Sequence, residues 1–132
     1  MEIKDKYGAV QKNYAQPIKR YCQTLDLIDD AELIAKYLAA HSEEVHWQEI
    51  REGIKQVGIL EMEIYLLENK LFMIVETGVD FQWEDAFEIL ATLPRQQEWE
   101  CWMSSFQQTE NGTTDKKWRL MDRIFHLYPL TS

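Results

Sequence analysis

The sequence predicts an α+β fold of the ferredoxin-like type, a four-stranded antiparallel sheet in βαββαβ order with helices on one face. Two strand-like runs, residues 59–67 and 71–77, lie a few residues apart, which favours a tight antiparallel hairpin. Apolar residues at helical spacing occur on both sides of this hairpin. A further strand-like run near each end completes two βαβ halves.

The first half begins with a predicted strand over residues 18–27, and Asp29 or Asp30 can then cap a helix. After a break at residues 42–44, a second helix ends at Gly58, a typical residue for a C-terminal cap. The apolar faces of the two helices are formed by Leu33, Ile34, Tyr37, Leu38 and His41, and by Trp47, Ile50, Ile54 and Val57.

The second half begins in the hairpin, whose first strand alternates between two faces. Leu60, Met62, Ile64 and Leu66 share one face, and Glu61, Glu63 and Tyr65 share the other. Two more helices follow, separated at Pro94. A polar loop is predicted over residues 107–116 and a closing strand over residues 118–127. The apolar positions of these two helices are Trp83, Ala86, Phe87 and Leu90, and then Trp99, Trp102, Met103 and Phe106.

The chain of 132 residues fits one domain. Residues 1–17 are polar, end at Pro17 and are predicted to be an N-terminal extension, while residues 18–132 form the single domain. Helices on one face leave the other face of the sheet open. A homodimer through that open face is the expected remedy, as in folds of the dimeric α+β barrel type.

The formal charge of −9 excludes a basic nucleic-acid-binding surface and favours a neutral ligand. The first residues lack the apolar core of a signal peptide, and no apolar run is long enough to span a membrane. Cys22 and Cys101 belong to no CxxC pair. We therefore expect a cytoplasmic protein with two free, buried thiols and no membrane partner.

Tyr37 and His41 lie one helical turn apart on an apolar face, so both side chains are predicted to point toward the sheet. A histidine there can exchange protons near neutral pH, as general acid–base catalysis requires, although such a histidine is commonly structural. Trp99 and Trp102 offer flat rings that suit a sugar, with core packing as the alternative.

Three carboxylates on the central strands, Glu61, Glu63 and Glu76, either pair with basic residues or line a polar pocket, and pairing is favoured. The candidate partners are Lys19, Arg20, Arg119 and Arg123. His41 and His46, with Glu43 and Glu44 between them, match no established metal-ligand spacing. No metal site is predicted.

The order and spacing of four segments resemble the L-rhamnose mutarotase family, which has a related L-fucose branch. The resemblance covers residues 19–128. Its segments are Tyr37 to His41, Trp47 to Gly58, the hairpin from Glu63 to Glu76, and Trp99 to Met103, with Phe125-His126-Leu127 resembling the family's closing strand.

The resemblance implies a dimeric ferredoxin-like enzyme that needs no cofactor and acts on a small neutral monosaccharide. The family's proton-donating histidine falls on His41, its substrate-contacting tyrosine on Tyr37, and the first of its paired tryptophans on Trp99. The second tryptophan falls on Glu100, and Met62 replaces a further substrate-contacting tyrosine. Two residues are inserted between His41 and Trp47, so both L-rhamnose and L-fucose stay open.

The implied reaction is interconversion of the α and β anomers of a 6-deoxy-L-hexose by acid–base ring opening and closure. An imidazolium at His41 would protonate the ring oxygen while a base, for which Glu61, Glu63 and water are candidates, takes the anomeric proton. Two other hypotheses share the fold: a cofactor-independent monooxygenase of the dimeric α+β barrel type, and a non-enzymatic ligand-binding or dimerisation module.

Overall fold

The computed structural model describes residues 7–109 and 112–128 and contains one sheet of four strands. The strands are β1 (Ile18–Asp26), β2 (Ile59–Leu67), β3 (Lys70–Gly78) and β4 (Arg119–Leu120). Their order across the sheet is β2-β3-β1-β4, and every neighbouring pair is antiparallel. The predicted antiparallel four-stranded sheet is confirmed, including the hairpin, which turns at Glu68 with a positive φ of 57°.

Five helices accompany the sheet in the described residues. They are α1 (Ala31–Ala40), α2 (Gln48–Gln56), α3 (Trp83–Leu90), α4 (Gln96–Ser104) and the short α5 (Thr114–Lys117). Asp30, one of the two predicted caps, accepts a hydrogen bond from the Leu33 amide at 3.0 Å. Gly58 follows α2 with φ of 98°, a conformation that favours glycine.

The core lies between the helices and one face of the sheet. Leu71, Met73 and Val75 project from the central strand β3 and are buried with Ile50 of α2 and Phe87 of α3. On the opposite face, Arg20 donates a hydrogen bond of 2.7 Å to Glu76, which confirms the pairing predicted for that carboxylate. The register places the other side chains of that face in alternation with the core: Cys22, Thr24, Glu61, Glu63, Tyr65, Phe72 and Ile74.

The closing segment differs from the prediction of a strand over residues 118–127. Only Arg119–Leu120 pairs, opposite Gln23 and Thr24 of β1, and residues 121–128 form neither helix nor strand. The Met121 amide makes one more bond, to the Cys22 carbonyl at 2.8 Å, after which the tail leaves the sheet edge. Its apolar side chains are exposed, Ile124 at 95% and Phe125 at 73%.

Two smaller predictions are also corrected. The loop predicted over residues 107–116 contains the start of α5, whose Lys117 is buried; residues 110–111 lie outside the described part. Both cysteines are free as predicted, but Cys101 is exposed on α4 and Cys22 only half-buried, because both lie on faces turned away from the core.

Residues 7–17 of the predicted N-terminal extension form neither helix nor strand. Tyr14 donates a hydrogen bond of 3.2 Å to Glu76, and Gln11 one of 3.2 Å to Glu63, so this segment borders the open face. Residues 1–6 and 129–132 lie outside the described part, and the division at residue 17 stays a prediction. None of the described helices is long and apolar enough to cross a membrane.

Candidate active site

His41 stands directly after α1, and Tyr37 lies one turn earlier, with 4.4 Å between the two ring centroids. The Nδ1 atom of His41 lies 2.9 Å from the Tyr37 carbonyl oxygen. Because a carbonyl oxygen can only accept, Nδ1 carries a proton and donates it. In the neutral ring, Nε2 therefore keeps a free lone pair and can act as a base.

A cavity of about 460 Å³ opens beside His41, between α1, α2 and β2. Its volume falls within the range of about 300–1,000 Å³ that is typical of small-molecule sites. A smaller hollow of about 60 Å³ continues toward α4 and α5. The histidine is thus not sealed in the core. The residues that line both spaces are Tyr37, His41, His46, Met62 and Ile64.

Trp99 forms an aromatic wall of the smaller hollow and is only 6% exposed. Its ring centroid lies 5.3 Å from that of His41 and 4.7 Å from that of His46. Trp102 contacts Trp99 at 5.5 Å and stacks on Trp47 at 5.4 Å, but it lines neither space. Trp102 therefore supports the wall from behind.

The two predicted β2 carboxylates are placed differently. Glu61 lines the larger cavity and lies 3.9 Å from Lys12, although its register places it on the open face. Glu63 accepts hydrogen bonds from Gln11 and Tyr65 and lines neither space. Alternation along the strand brings Met62 to the site and turns Glu63 away from it.

Glu100 is 7% exposed and lines the smaller hollow. It occupies the position at which the family that the sequence resembles has its second tryptophan. One carboxylate oxygen, Oε1, accepts hydrogen bonds from Thr114 at 3.0 Å and Gln96 at 3.4 Å. The other, Oε2, lies 3.7 Å from the Lys117 ammonium and accepts no hydrogen bond within the described residues. A buried acceptor of this kind is well suited to a sugar hydroxyl.

The site favours uncharged side chains. Burial lowers the pKa of the His41 imidazole, and the bond to the Tyr37 carbonyl offsets part of that effect. Burial raises the pKa of the Tyr37 phenol, which the nearby Gln107 amide partly opposes. Burial likewise raises the pKa of the Glu100 carboxyl, against the attraction of Lys117. A neutral His41 is therefore the resting form near pH 7.

Sequence reasoning did not assign His46, Arg51, Gln107 and Thr114 to the site, although all four line it. His46 occupies the segment that carries the two inserted residues, and this insertion was the available signal. Gln107 and Thr114 come from a segment without periodic pattern, so nothing in the sequence placed them. Within residues 7–109 and 112–128, no group of three or more His, Cys, Asp or Glu is arranged to hold a metal ion.

The arrangement provides a base, a buried acceptor and an apolar aromatic wall around a cavity of sugar size. Such a set can move protons on a neutral polyhydroxy ligand that it holds in place.

Comparison with known proteins points the same way. A family model described as L-rhamnose mutarotase matches residues 20–127. An L-fucose mutarotase from Xanthomonas campestris is 38% identical over 111 residues, which cover 83% of this chain and 89% of that protein. A UPF0734 protein from Dictyostelium discoideum is 35% identical over 114 residues, covering 83% and 90%.

Among solved structures, an L-rhamnose mutarotase from Formosa agariphila has a TM-score of 0.62 at 18% identity, covering 83% of this chain and 99% of that one. This likeness supports the fold, and the family match with the identity to the Xanthomonas protein supports the activity. The chain belongs to the L-rhamnose mutarotase family and is a sugar mutarotase, an isomerase acting on carbohydrates.

Proposed function

We propose that the chain interconverts the anomers of a neutral 6-deoxy-L-hexose, L-rhamnose or L-fucose, in the cavity beside His41. One observation carries this proposal. His41 lines the cavity, and because its Nδ1 atom donates a hydrogen bond, its Nε2 atom keeps a free lone pair in the neutral ring. The negative net charge of the protein fits an uncharged sugar. The names of the family and of the Xanthomonas relative support the two sugars.

The reaction requires one proton to leave the anomeric hydroxyl and one to reach the ring oxygen. Neutral His41 takes the anomeric proton at Nε2 and becomes an imidazolium. The bond from C1 to the ring oxygen breaks, its electron pair stays on that oxygen, and C1 becomes the aldehyde. The imidazolium then gives its proton to the former ring oxygen, which was bonded to the same carbon as the anomeric hydroxyl before the ring opened. Rotation about the C1–C2 bond and ring closure on the other face of the aldehyde then give the other anomer.

This sequence begins with a neutral imidazole, whereas the mechanism inferred from the sequence begins with an imidazolium. The lowered pKa of His41 supports the neutral start. A separate base is then not required, and neither Glu61 nor Glu63 has to take that role. Glu63 is the weaker candidate in any case, because it faces the opposite side of the sheet from His41.

The binding roles follow from the chemistry of the lining. Trp99 stacks on the apolar face of the sugar, Met62 contacts its methyl group and Tyr37 orients it through the hydroxyl. The Oε2 atom of Glu100, which accepts no hydrogen bond within the described residues, accepts one from a sugar hydroxyl. Trp102 holds Trp99 in position, and Glu61 lies at the rim.

We also propose that two copies associate through the open face of the sheet, in the cytoplasm. Phe72 and Ile74 lie on this face, and a groove of about 800 Å³ separates it from residues 120–123 of the tail. The tail carries further exposed apolar side chains. Burial of such a surface against a second copy removes apolar area from water.

The catalytic assignment is tested by saturation-transfer NMR of the anomeric protons, with L-rhamnose and L-fucose and a protein-free blank. We expect His41→Ala to reduce the enzymatic exchange rate by at least about a hundredfold, the usual scale for loss of a general base. His126→Ala, which removes an exposed histidine of the tail, is the matched control and keeps the wild-type rate.

As a control, circular dichroism and urea unfolding test whether His41→Ala is folded. If that variant exchanges the anomers of either sugar at the wild-type rate, His41 is not the proton carrier. If the wild-type protein exchanges neither sugar above the blank, the proposed substrates are wrong.

A further inference from the structure

A second imidazole faces the site. His46 lies in the irregular segment between α1 and α2 and lines both the larger cavity and the smaller hollow. Its ring centroid is 5.7 Å from that of His41 and 4.7 Å from that of Trp99. A ligand that reaches Nε2 of His41 is therefore within reach of the second ring as well.

The hydrogen bond to Arg51 fixes which nitrogen of His46 carries a proton. Arg51 Nε donates to His46 Nδ1 at 3.2 Å, and a guanidinium offers donors only. Nδ1 must therefore be the unprotonated nitrogen, and the proton of the neutral ring resides on Nε2. His41 has the opposite arrangement, since its Nδ1 donates to the Tyr37 carbonyl.

Burial, with the His41 imidazole and the Arg51 guanidinium as smaller causes, lowers the pKa of His46 to about 4, against a weaker opposing effect of the Trp47 backbone. The ring is therefore neutral at pH 7 and carries its N–H on Nε2. The other titratable or charged groups that line the two spaces are Tyr37, Lys55, Glu61 and Glu100.

We propose that His46 is a second catalytic residue, whose Nε2–H donates a hydrogen bond to the sugar's ring oxygen while His41 takes the anomeric proton. This inference rests on the proposed role of His41. The two imidazoles form a complementary pair, with one Nε2 lone pair and one Nε2–H directed at neighbouring oxygens of the same anomeric carbon.

The hydrogen bond acts at the moment of ring opening. As the bond from C1 breaks, the electron pair and its negative charge collect on the ring oxygen, where a fixed donor in a partly dry site stabilises it. His46 keeps its proton, because the imidazolium of His41 supplies the proton that completes the open-chain hydroxyl. The Arg51 cation at Nδ1 makes the Nε2–H of His46 a stronger donor.

The kinetic test compares His46→Phe, which keeps a flat ring and removes the donor, with His46→Gln, which keeps an N–H donor. We expect His46→Phe to lower the exchange rate at saturating sugar by about tenfold or more, with His46→Gln retaining a larger share of the rate and little change in KM for either variant. A loss below about tenfold in His46→Phe, a loss confined to KM, or equal losses in the two variants would overturn the proposal.

The same assay separates this proposal from the role of His41. If His41→Ala is inactive and His46→Phe is fully active, only the role of His46 fails. If His41→Ala is active, the proposed role of His41 fails, and the pairing of the two imidazoles fails with it, whatever His46→Phe shows.

A spectroscopic test does not depend on activity. The chain has three histidines, so 15N NMR of histidine-labelled protein gives few signals, and His46→Gln and His126→Ala assign them. At pH 7 we expect an Nε2–H tautomer for His46 and an Nδ1–H tautomer for His41. In Arg51→Met, the His46 pKa should rise. An Nδ1–H tautomer or an imidazolium at His46 in the wild-type protein at pH 7 would falsify the assignment.

Discussion

The Lys117 side chain is the buried cation of the site region, 5% exposed in the short helix α5. It donates hydrogen bonds to the Glu100 carbonyl at 3.0 Å and the Ser104 hydroxyl at 3.2 Å, and its ammonium lies 3.7 Å from Glu100 Oε2. Burial lowers the pKa of Lys117 and raises that of Glu100, so each charge depends on the other to remain ionised.

Removal of one member of this pair leaves a buried, unpaired charge or forces its protonation. We expect Lys117→Met to lower the free energy of unfolding by about 3–5 kcal/mol, as measured by urea unfolding. Lys116→Met, at the exposed neighbouring position, is the control and changes stability little. The double variant Glu100→Gln/Lys117→Met should recover a large part of the loss. Equal midpoints for Lys117→Met and Lys116→Met would show that the pair does not stabilise the fold.

The placement of site side chains could be predicted from the sequence for residues on helices and strands, but not for residues outside them. Tyr37, His41 and Trp99 share helical faces with apolar neighbours, so their inward direction follows from spacing alone. The two-residue alternation of β2 likewise separates Met62 from Glu63. The bond from Arg51 to His46 joins a helix to an irregular segment, and Gln107 follows α4 without a pattern. Their positions depend on tertiary contacts that spacing does not encode.

At the scale of elements, helix α1 positions two residues of the candidate site. Tyr37 lies in its last turn and His41 directly follows its end. Asp30 fixes where this helix begins by accepting the hydrogen bond from the Leu33 amide. The sequence offered Asp29 and Asp30 equally. In the structure the extended backbone of Asp30, with φ of −141° and ψ of 120°, has the geometry of an N-cap.

The two adjacent aspartates provide a matched experiment. We expect Asp30→Ala to lower the free energy of unfolding by about 1 kcal/mol, because the amides of the first turn lose their acceptor. Asp29→Ala removes the same charge from an exposed position and should change stability by less than about 0.5 kcal/mol. Thermal or urea unfolding measures both. If Asp29→Ala is the more destabilised variant, the helix begins one residue earlier.

The central elements were predictable and the last ones were not. Strands β1 to β3 and helices α1 to α4 have clear periodicity and recognisable end signals at Asp30, Gly58 and Pro94. Residues 118–127 also alternate, but a strand needs a neighbour for its hydrogen bonds. Only Arg119–Leu120 pairs with β1, the Met121 amide adds one bond to the Cys22 carbonyl, and residues 122–127 form no strand.

At the scale of the whole molecule, different segments pack against the two faces of the sheet. The helices and the site occupy one face, whereas residues 7–17 and the tail border the other, where Phe72 and Ile74 lie half-buried. The tail carries exposed apolar side chains of its own, with Leu127 74% and Tyr128 79% exposed. A second copy of the chain is the proposed partner for this face.

The proposed dimer predicts a native mass twice that of the 15.8 kDa chain. We expect Phe72→Glu, which places a charge on the open face, to shift the protein to a monomer in light scattering or analytical ultracentrifugation. Ile89→Glu on α3, where the isoleucine is 53% exposed, introduces the same charge on the helical side and leaves the mass unchanged. A wild-type monomer, or a dimer that survives Phe72→Glu and dissociates in Ile89→Glu, would contradict an interface on the open face.

The indole cluster around the site gives this protein an optical property. Of its five tryptophans, Trp99 and Trp118 line the smaller hollow, and Trp47 and Trp102 touch Trp99. Trp83 instead packs on Tyr21 and Phe87. Four of the five indoles therefore lie within one or two rings of the smaller hollow. We expect tryptophan fluorescence to report binding of a sugar in the cavity without a label on protein or ligand. The signal does not depend on catalysis, so it also serves for variants that no longer interconvert the anomers.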